Sequence, residues 1–171
     1  VILEYTKKTE IKRFDINMDK QLSHEERVIG AVKKALPAVV SIIVSKDFET
    51  FKNEIQKLPQ GPIPLDQYMN QKEILESVPR TEDGQVKIGG GSGFFIDPSG
   101  LVMTNKHVVM DADAEYMIIT ASDDHFSAKV LARDPINDIA ILKLEASGST
   151  FPIIEIGDSN KIQLGQTVIA I

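Results

Sequence analysis

The sequence predicts a domain of the all-β class, with one short helix before its first strand. Short apolar segments rich in β-branched residues follow one another at close spacing, and turn residues separate them. The predicted strands are 39–44, 93–96, 101–104, 115–120, 126–132, 139–144, 153–156 and 167–171. Many short strands of this kind are typical of a barrel or a sandwich.

The composition restricts what such a domain can do. The chain has 171 residues, of which 42% are hydrophobic and 26% charged, and these values are close to the averages of globular proteins. We therefore expect one domain with a sizeable core. The net charge of -6 repels a phosphate backbone, so no nucleic-acid partner is expected. The absence of cysteine excludes disulfides, a thiol nucleophile and a Cys-based zinc site.

No stretch of the sequence has the length and apolar character of a transmembrane helix. The most apolar short segment, 38–44, is far shorter than the ~18 residues that such a helix needs. Residues 1–13 lack the basic start, apolar run and small-residue cleavage site of a secretory signal. We expect no membrane span here, while a leader removed before Val1 stays open.

Residues 1–22 are predicted to form an N-terminal extension, and 23–171 the domain itself. The extension is rich in charge and has no sustained period. Ser23 and Glu26 fit the S-x-x-E pattern of a helical capping box, and Pro37 follows about three turns later. Between them the apolar residues fall on one helical face, namely Val28, Ile29, Val32, Ala35 and Leu36.

Residues 47–87 interrupt the β pattern. Their prolines and glycines stand among charged and amide side chains, and about 40 irregular residues within a domain usually form a functional or mobile loop. We interpret this segment as a surface insertion that holds a short helix at 51–58. After it, the tetrad Asp97-Pro98-Ser99-Gly100 predicts the turn of a β-hairpin.

The first chemically informative segment is 91–109, which reads G-S-G-F-F-I-D-P-S-G-L-V-M-T-N-K-H-V-V. It resembles the HtrA/Deg family of trypsin-like serine proteases, whose signature T-N-x-H-V is matched by Thr104, Asn105, His107 and Val108. The resemblance implies that His107 is the general base. An imidazole suits that role because its unperturbed pKa of ~6.5 lets it accept a proton and return it.

A second segment carries the candidate acid. Thirty-one residues after His107 (138 − 107), the run R-D-P-I-N-D-I-A-I-L-K-L matches the family block D-P-x-x-D-[LI]-A-[VI]-L-K. The resemblance assigns Asp138 to the triad, where a carboxylate fixes the histidine tautomer and stabilises the imidazolium. Asp134 is interpreted as the residue that opens the Pro135 turn.

The family nucleophile is a serine in G-N-S-G-G, and no serine in this sequence is followed by Gly-Gly. A third family block, 156–171, precedes that motif, so the second barrel with its serine is expected beyond this sequence. Ser159 lies in G-D-S but is followed by Asn160, which favours a surface turn. Ser92 misses G-x-S-x-G because Phe94 replaces the last glycine, and its glycines are expected to permit close strand packing.

Three other groups of polar residues have simpler interpretations. His24 begins H-E-E-R-V, which lacks the second histidine of H-E-x-x-H, so a residue at a helix start is expected. Asp111, Asp113 and Glu115 alternate like part of a calcium loop, but the glycine and terminal glutamate of an EF-hand are missing. His125 follows two aspartates and fits a charged hairpin tip.

The family resemblance further implies a six-stranded first barrel, a second barrel of the same protease as its partner, and an active cleft between them. It also implies no metal or organic cofactor, unfolded or misfolded polypeptides as substrates, assembly into homotrimers or multiples of them, and an extracytoplasmic location. The 47–87 insertion corresponds to a regulatory-type loop in that family. These expectations come from resemblance alone.

The interpretation that follows is a serine endopeptidase that works by acyl transfer, in which this segment supplies His107 and Asp138 and is inactive alone. A first alternative is a non-catalytic protease homologue that serves as a binding or assembly module. A second is an unrelated β-barrel with chance motif matches. In that case His107 and Asp138 would lie beyond hydrogen-bond reach of each other.

Overall fold

The computed structural model describes residues 22–57 and 71–171. The predicted extension at 1–22 therefore lies outside the described residues except for Leu22, as do residues 58–70 of the insertion. The helices are α1 His24–Ala35, α2 Phe48–Lys57 and α3 Gln71–Ser77, with 3₁₀ turns at Leu36–Ala38, Lys106–Val109 and Ser159–Lys161. The strands are β1 Val39–Lys46, β2 Val86–Asp97, β3 Leu101–Thr104, β4 Glu115–Ile119, β5 His125–Arg133 and β6 Ala140–Leu144.

The six strands form a closed antiparallel barrel in the order β1-β2-β3-β6-β5-β4. Strand β1 closes it by pairing on both sides, so that Ile42 faces Gly91 of β2 and Ile118 of β4. Strand β3 joins β6, with Thr104 opposite Ala140. The predicted all-β class and the six-stranded barrel are confirmed, and of the two architectures left open by the strand pattern, the barrel is the one that forms.

The core fills the inside of this barrel. Alternate residues of β1 point inward, and every strand contributes side chains that are buried. Phe95, Val102, Ile118 and Leu142 are fully buried, and each such side chain stabilises the fold by about 1.5–3 kcal/mol relative to exposure. The buried Phe151 stacks on Phe95 with ring centroids 4.5 Å apart, which adds an aromatic contact to this core.

Helix α1 begins as its sequence predicts. The Ser23 backbone N–H donates to the Glu26 carboxylate at 2.8 Å, and the Glu26 N–H donates to the Ser23 hydroxyl at 3.1 Å. This reciprocal capping box satisfies two backbone donors that the first turn cannot pair. No residue of α1 is fully buried: Val28, Val32 and Ala35 are half-buried, and Ile29 is exposed.

Two predicted strands are wrong. Residues 153–156 and 167–171 have no strand structure, although Ile154 donates its backbone N–H to Phe95 O at 3.0 Å. The physical reason is closure, since β1 already pairs with both β2 and β4 and the barrel offers no open edge. Apolar β-branched residues alone cannot form a strand without a partner.

The insertion and its flanks differ from expectation in length. Strand β2 begins at Val86 instead of residue 93, because its glycines pair closely with β1. The predicted helix at 51–58 is observed as α2, begun by Asp47, whose carboxylate accepts the Thr50 N–H at 3.0 Å. Helix α3 was not predicted. The 97–100 turn is confirmed, with the Gly100 N–H donating to Asp97 O at 3.0 Å and a φ of 93° at Gly100.

Candidate active site

Strand pairing brings His107 and Asp138 to the same end of the barrel. Thr104, the last residue of β3, pairs with Ala140, the first residue of β6. His107 follows Thr104 by three residues (107 − 104), in the 3₁₀ turn Lys106–Val109, and Asp138 precedes Ala140 by two (140 − 138). The antiparallel register therefore places the two residues side by side, although 31 positions (138 − 107) separate them in the chain.

The two side chains are in direct contact. The His107 ring Nδ1 lies 2.6 Å from Asp138 Oδ2, and the His107 backbone N–H donates to Asp138 Oδ1 at 2.9 Å. The Asn105 side-chain amide donates to Asp138 Oδ2 and to the Asp138 backbone carbonyl, each at 3.1 Å. An ionised carboxylate can only accept, so Nδ1 carries the hydrogen of this contact. The ring's Nε2 is thereby left as its acceptor atom.

These hydrogen bonds keep the Asp138 carboxylate ionised. The His107 backbone N–H contributes most to holding the pKa of Asp138 below its usual value, partial desolvation opposes it, and the His107 ring and the Asn105 amide add to the lowering. The His107 side chain is 66% exposed and that of Asp138 47% exposed. The ionised carboxylate can therefore pair with a protonated imidazole, and both side chains are accessible to another molecular surface.

The loop that carries Asp138 is ordered by another carboxylate. Asp134 Oδ1 accepts the backbone N–H groups of Ile136 at 2.7 Å and Asn137 at 2.6 Å, which lowers the pKa of Asp134. The Lys106 ammonium donates to the Pro135 carbonyl at 3.5 Å. The expected role of Asp134 in opening this turn is confirmed by these bonds.

Contacts with strand β2 and with Arg133 fix the segment around His107. The buried Thr104 donates its hydroxyl to the Ser92 carbonyl at 2.8 Å, and Arg133 Nε donates to the carbonyl of the fully buried Val109 at 2.7 Å. A Cβ at Gly91 would lie 2.6 Å from Val108 Cγ2, so only glycine lets Val108 pack this closely on β2. No sequence pattern points to Arg133, whereas the run of glycines indicates a close approach of two chain segments.

An apolar groove of about 470 Å³ adjoins the Asp138 side of the pair. It is lined mainly by aliphatic and aromatic residues, among them Phe94, Met103, Ile139, Ile154, Ile169 and Ile171. The exposed apolar residues at 169 and 171 belong to a segment that forms no strand. This surface gives the pair one apolar flank and one open, solvated flank.

The other candidate residues belong to other elements of the fold. Ser92 is inside β2 opposite Ser41, and Ser159 begins a 3₁₀ turn capped by Asp158, which accepts the Asn160 N–H at 3.0 Å. His24 is the first residue of α1, and His125 the first residue of β5. Both serine interpretations, as a strand residue and as a turn residue, are confirmed, as is the helix start at His24.

Asp111 has a role that its sequence interpretation as a solvated turn did not include. Its Oδ2 lies 2.6 Å from the ammonium of the buried Lys46, while Oδ1 accepts the Asp113 N–H at 2.9 Å.

Within 22–57 and 71–171, no group of three or more His, Cys, Asp or Glu residues is arranged to hold a metal ion. No helix in these same ranges combines the length and apolar character needed to cross a membrane.

Known proteins share this sequence pattern. The sequence profile described as a trypsin-like peptidase domain matches residues 91–171. A DegP-like periplasmic serine endoprotease of Pseudomonas putida is 33% identical over 144 residues, or 82% of this chain and 30% of the relative. The corresponding protein of Brucella suis is 31% identical over 161 residues, or 82% and 31%. A serine protease named HhoA from Synechocystis sp. is 35% identical over 151 residues, or 88% and 36%. The chain thus spans between 30% and 36% of the length of these relatives.

Proposed function

Because this chain belongs to the HtrA/Deg family of trypsin-like serine proteases, we propose that it supplies the general base and the orienting carboxylate of a serine endopeptidase. The single observation that carries this proposal is the double hydrogen bond between His107 and Asp138, at 2.6 Å to the ring and 2.9 Å to the backbone. In this arrangement His107 acts as the general base, and Asp138 orients its imidazole ring. The domain that performs this role is 23–171, with 1–22 as an extension.

The reaction is acyl transfer to a serine. His107 Nε2 accepts the proton of the serine hydroxyl as Oγ attacks the scissile carbonyl, and later returns it to the leaving amine. Asp138 keeps Nδ1 protonated and stabilises the imidazolium that forms between these steps. Backbone amides beside the serine stabilise the oxyanion.

The serine belongs to a second barrel of the same protein in this proposal. No serine of this sequence stands in a Ser-Gly-Gly context, and the exposed flank of the His107 ring is open to another surface. The apolar groove beside Asp138 is suited to burial against that barrel. The chain alone is therefore inactive, because a general base without a nucleophile forms no acyl-enzyme.

Substrates and location follow from the relatives. Their names describe periplasmic serine endoproteases, which act on polypeptides. We extend this to unfolded or misfolded polypeptides as substrates, an extracytoplasmic site of action in protein quality control, and assembly into homotrimers or their multiples. The proposed chemistry needs no cofactor.

The test is hydrolysis of casein by the full-length protein. His107→Ala should abolish hydrolysis while the far-ultraviolet circular dichroism spectrum stays that of the parent. His125→Ala is the matched control, since it removes an imidazole at the start of β5, and it should retain full activity. Full activity in His107→Ala would refute the assignment. A parent protein that binds unfolded casein without cleaving it would favour the non-catalytic binding module instead.

A further inference from the structure

A charged side chain inside the barrel wall is unexplained by the proposed chemistry. Lys46, the last residue of β1, is only 2% exposed, although lysines are almost never buried unless paired. Its ammonium donates to Glu54 Oε1 at 2.8 Å and Oε2 at 3.0 Å, and lies 2.6 Å from Asp111 Oδ2. One buried cation thus holds two carboxylates that do not belong to the same element.

The cation remains charged in this position. Burial by itself would lower the pKa of Lys46, but hydrogen bonds to Asp111 and Glu54, together with their negative charges, outweigh it and raise the pKa. The hydrogen bond from Lys46 in turn lowers the pKa of Asp111, against the opposing effect of burial. Only the ammonium is deeply buried, since Lys46 is 2% exposed whereas Asp111 is 33% and Glu54 47% exposed. Loss of both carboxylates would leave that buried charge unpaired, which is costly.

Asp111 lies at the end of the segment that carries His107. It follows His107 by four positions (111 − 107), and between them the carbonyl of the fully buried Val109 accepts a hydrogen bond from Arg133 Nε at 2.7 Å. The Asp111 carbonyl accepts the Tyr116 hydroxyl at 2.5 Å. This short segment is therefore anchored by Asp138 at its beginning and by Lys46 at its end. Because both ends of this segment are held, a displacement of Asp111 is transmitted along the backbone to His107.

Glu54 belongs to helix α2 of the insertion. No residue of α2 is buried, and polar and ring contacts join the helix to neighbouring elements. At its start, the Arg80 guanidinium lies 4.2 Å from the centre of the Phe48 ring. Farther along, Glu54 reaches Lys46. The position of α2 is thus coupled directly to the ammonium that also holds Asp111.

We propose that Lys46 is a positioning residue for His107, which links helix α2 to the histidine-bearing segment through its shared contacts with Glu54 and Asp111. The proposal rests on the proposed function, in which His107 acts as the base. Lys46 touches no substrate in this role. It keeps the imidazole aligned with the Asp138 carboxylate. A movement of α2 would withdraw Glu54 from Lys46 and so change that alignment.

The experiment compares Lys46→Met and Glu54→Gln in the full-length protein, with Lys129→Met as the control. Lys129 pairs with Glu145, is 77% exposed and lies opposite Lys143, toward the far end of β6 from His107. Three quantities are measured: kcat and KM with a peptide substrate, and the low-field proton resonance of His107 Nδ1–H. That resonance is assigned by its disappearance in His107→Ala.

Lys46→Met should lower kcat about tenfold with little change in KM, because a displaced base reduces the rate more than binding. It should also shift or broaden the Nδ1–H resonance. Glu54→Gln should show smaller changes of the same kind, since Asp111 still holds Lys46, and Lys129→Met should match the parent. A folded Lys46→Met protein with the parent's kcat and resonance overturns the proposal.

Two further outcomes are decisive. If Lys46→Met does not fold, Glu54→Gln decides, because Glu54 is 47% exposed and its replacement leaves the core intact. Parental kcat and resonance in Glu54→Gln then overturn the link. If the parent protein cleaves no peptide, the proposed function fails, but the resonance still reports whether Lys46 positions His107.

Discussion

Asp138 accepts two hydrogen bonds from one residue, the ring Nδ1–H and the backbone N–H of His107. The first fixes the orientation of the imidazole, and the second fixes the chain beneath it. A single carboxylate thus couples the position of a side chain to the position of its own backbone. This coupling explains why the pair is ordered although both side chains are exposed to solvent.

Asp138→Asn should reduce kcat about 10⁴-fold. An asparagine amide can donate to Nδ1, which favours the wrong tautomer and places the hydrogen on Nε2, where the base must accept. The change is measured as kcat of the full-length protein. Asp158→Asn is the matched control, because Asp158 also accepts a backbone N–H but caps the separate turn at Ser159, and its kcat should equal that of the parent. Comparable loss in both variants would contradict a specific role for Asp138.

Asn105→Ala should have a smaller effect. It removes the amide that donates to Asp138 at 3.1 Å, while both bonds from His107 remain. A single hydrogen bond contributes about 1 kcal/mol, so kcat should fall about fivefold. Asn160→Ala, which loses an amide contact to Asp158 at 3.0 Å far from the site, is the control in the same peptide assay. A loss as large as that of Asp138→Asn would mean that Asn105 does more than support the carboxylate.

The sequence could predict what is encoded locally. His107, Asp138 and the capping box at Ser23 are each recognisable within a few neighbouring residues. Long-range contacts that belong to no recognisable motif could not be predicted. Lys46 ends an apolar strand and looks like a surface residue, because its partner Asp111 is 65 positions away (111 − 46). The family resemblance predicts the barrel, but the strand pattern does not show which strands close it, and for this reason the apolar residues 153–156 are predicted as a strand that has no edge to join.

Gly91→Ala should destabilise the domain and disturb the site together. The new Cβ would lie 2.6 Å from Val108 Cγ2, so Val108 and the turn that carries His107 must move. Overpacking of this kind costs about 1–3 kcal/mol of unfolding free energy. Gly89→Ala is the matched control on the same strand, since its Cβ would meet only Val44 Cβ at 4.0 Å. The measurement is urea unfolding followed by far-ultraviolet circular dichroism, because the sequence has no tryptophan to serve as a fluorescent probe. Equal stability of the two variants would contradict the predicted clash.

Stability should fall in acid, and Asp134 should contribute to the fall. The backbone N–H groups of Asn137 and Ile136, in that order, hold the pKa of Asp134 below its usual value of about 3.9. A carboxyl group with a lowered folded-state pKa contributes stability that is fully present above its unfolded-state pKa. That contribution is lost as the pH falls through the folded-state value.

The free energy of unfolding, measured by urea titration at a series of pH values, should therefore be level with respect to Asp134 above about pH 5 and decline below about pH 4. Asp134→Asn should lower stability at neutral pH and make the acid decline shallower, because its amide has no proton to gain. Asp113→Asn is the control, since the Asp113 side chain is exposed and lies outside this turn. An acid decline equally steep in Asp134→Asn and in the parent would show that the turn at Pro135 does not depend on the ionised carboxylate.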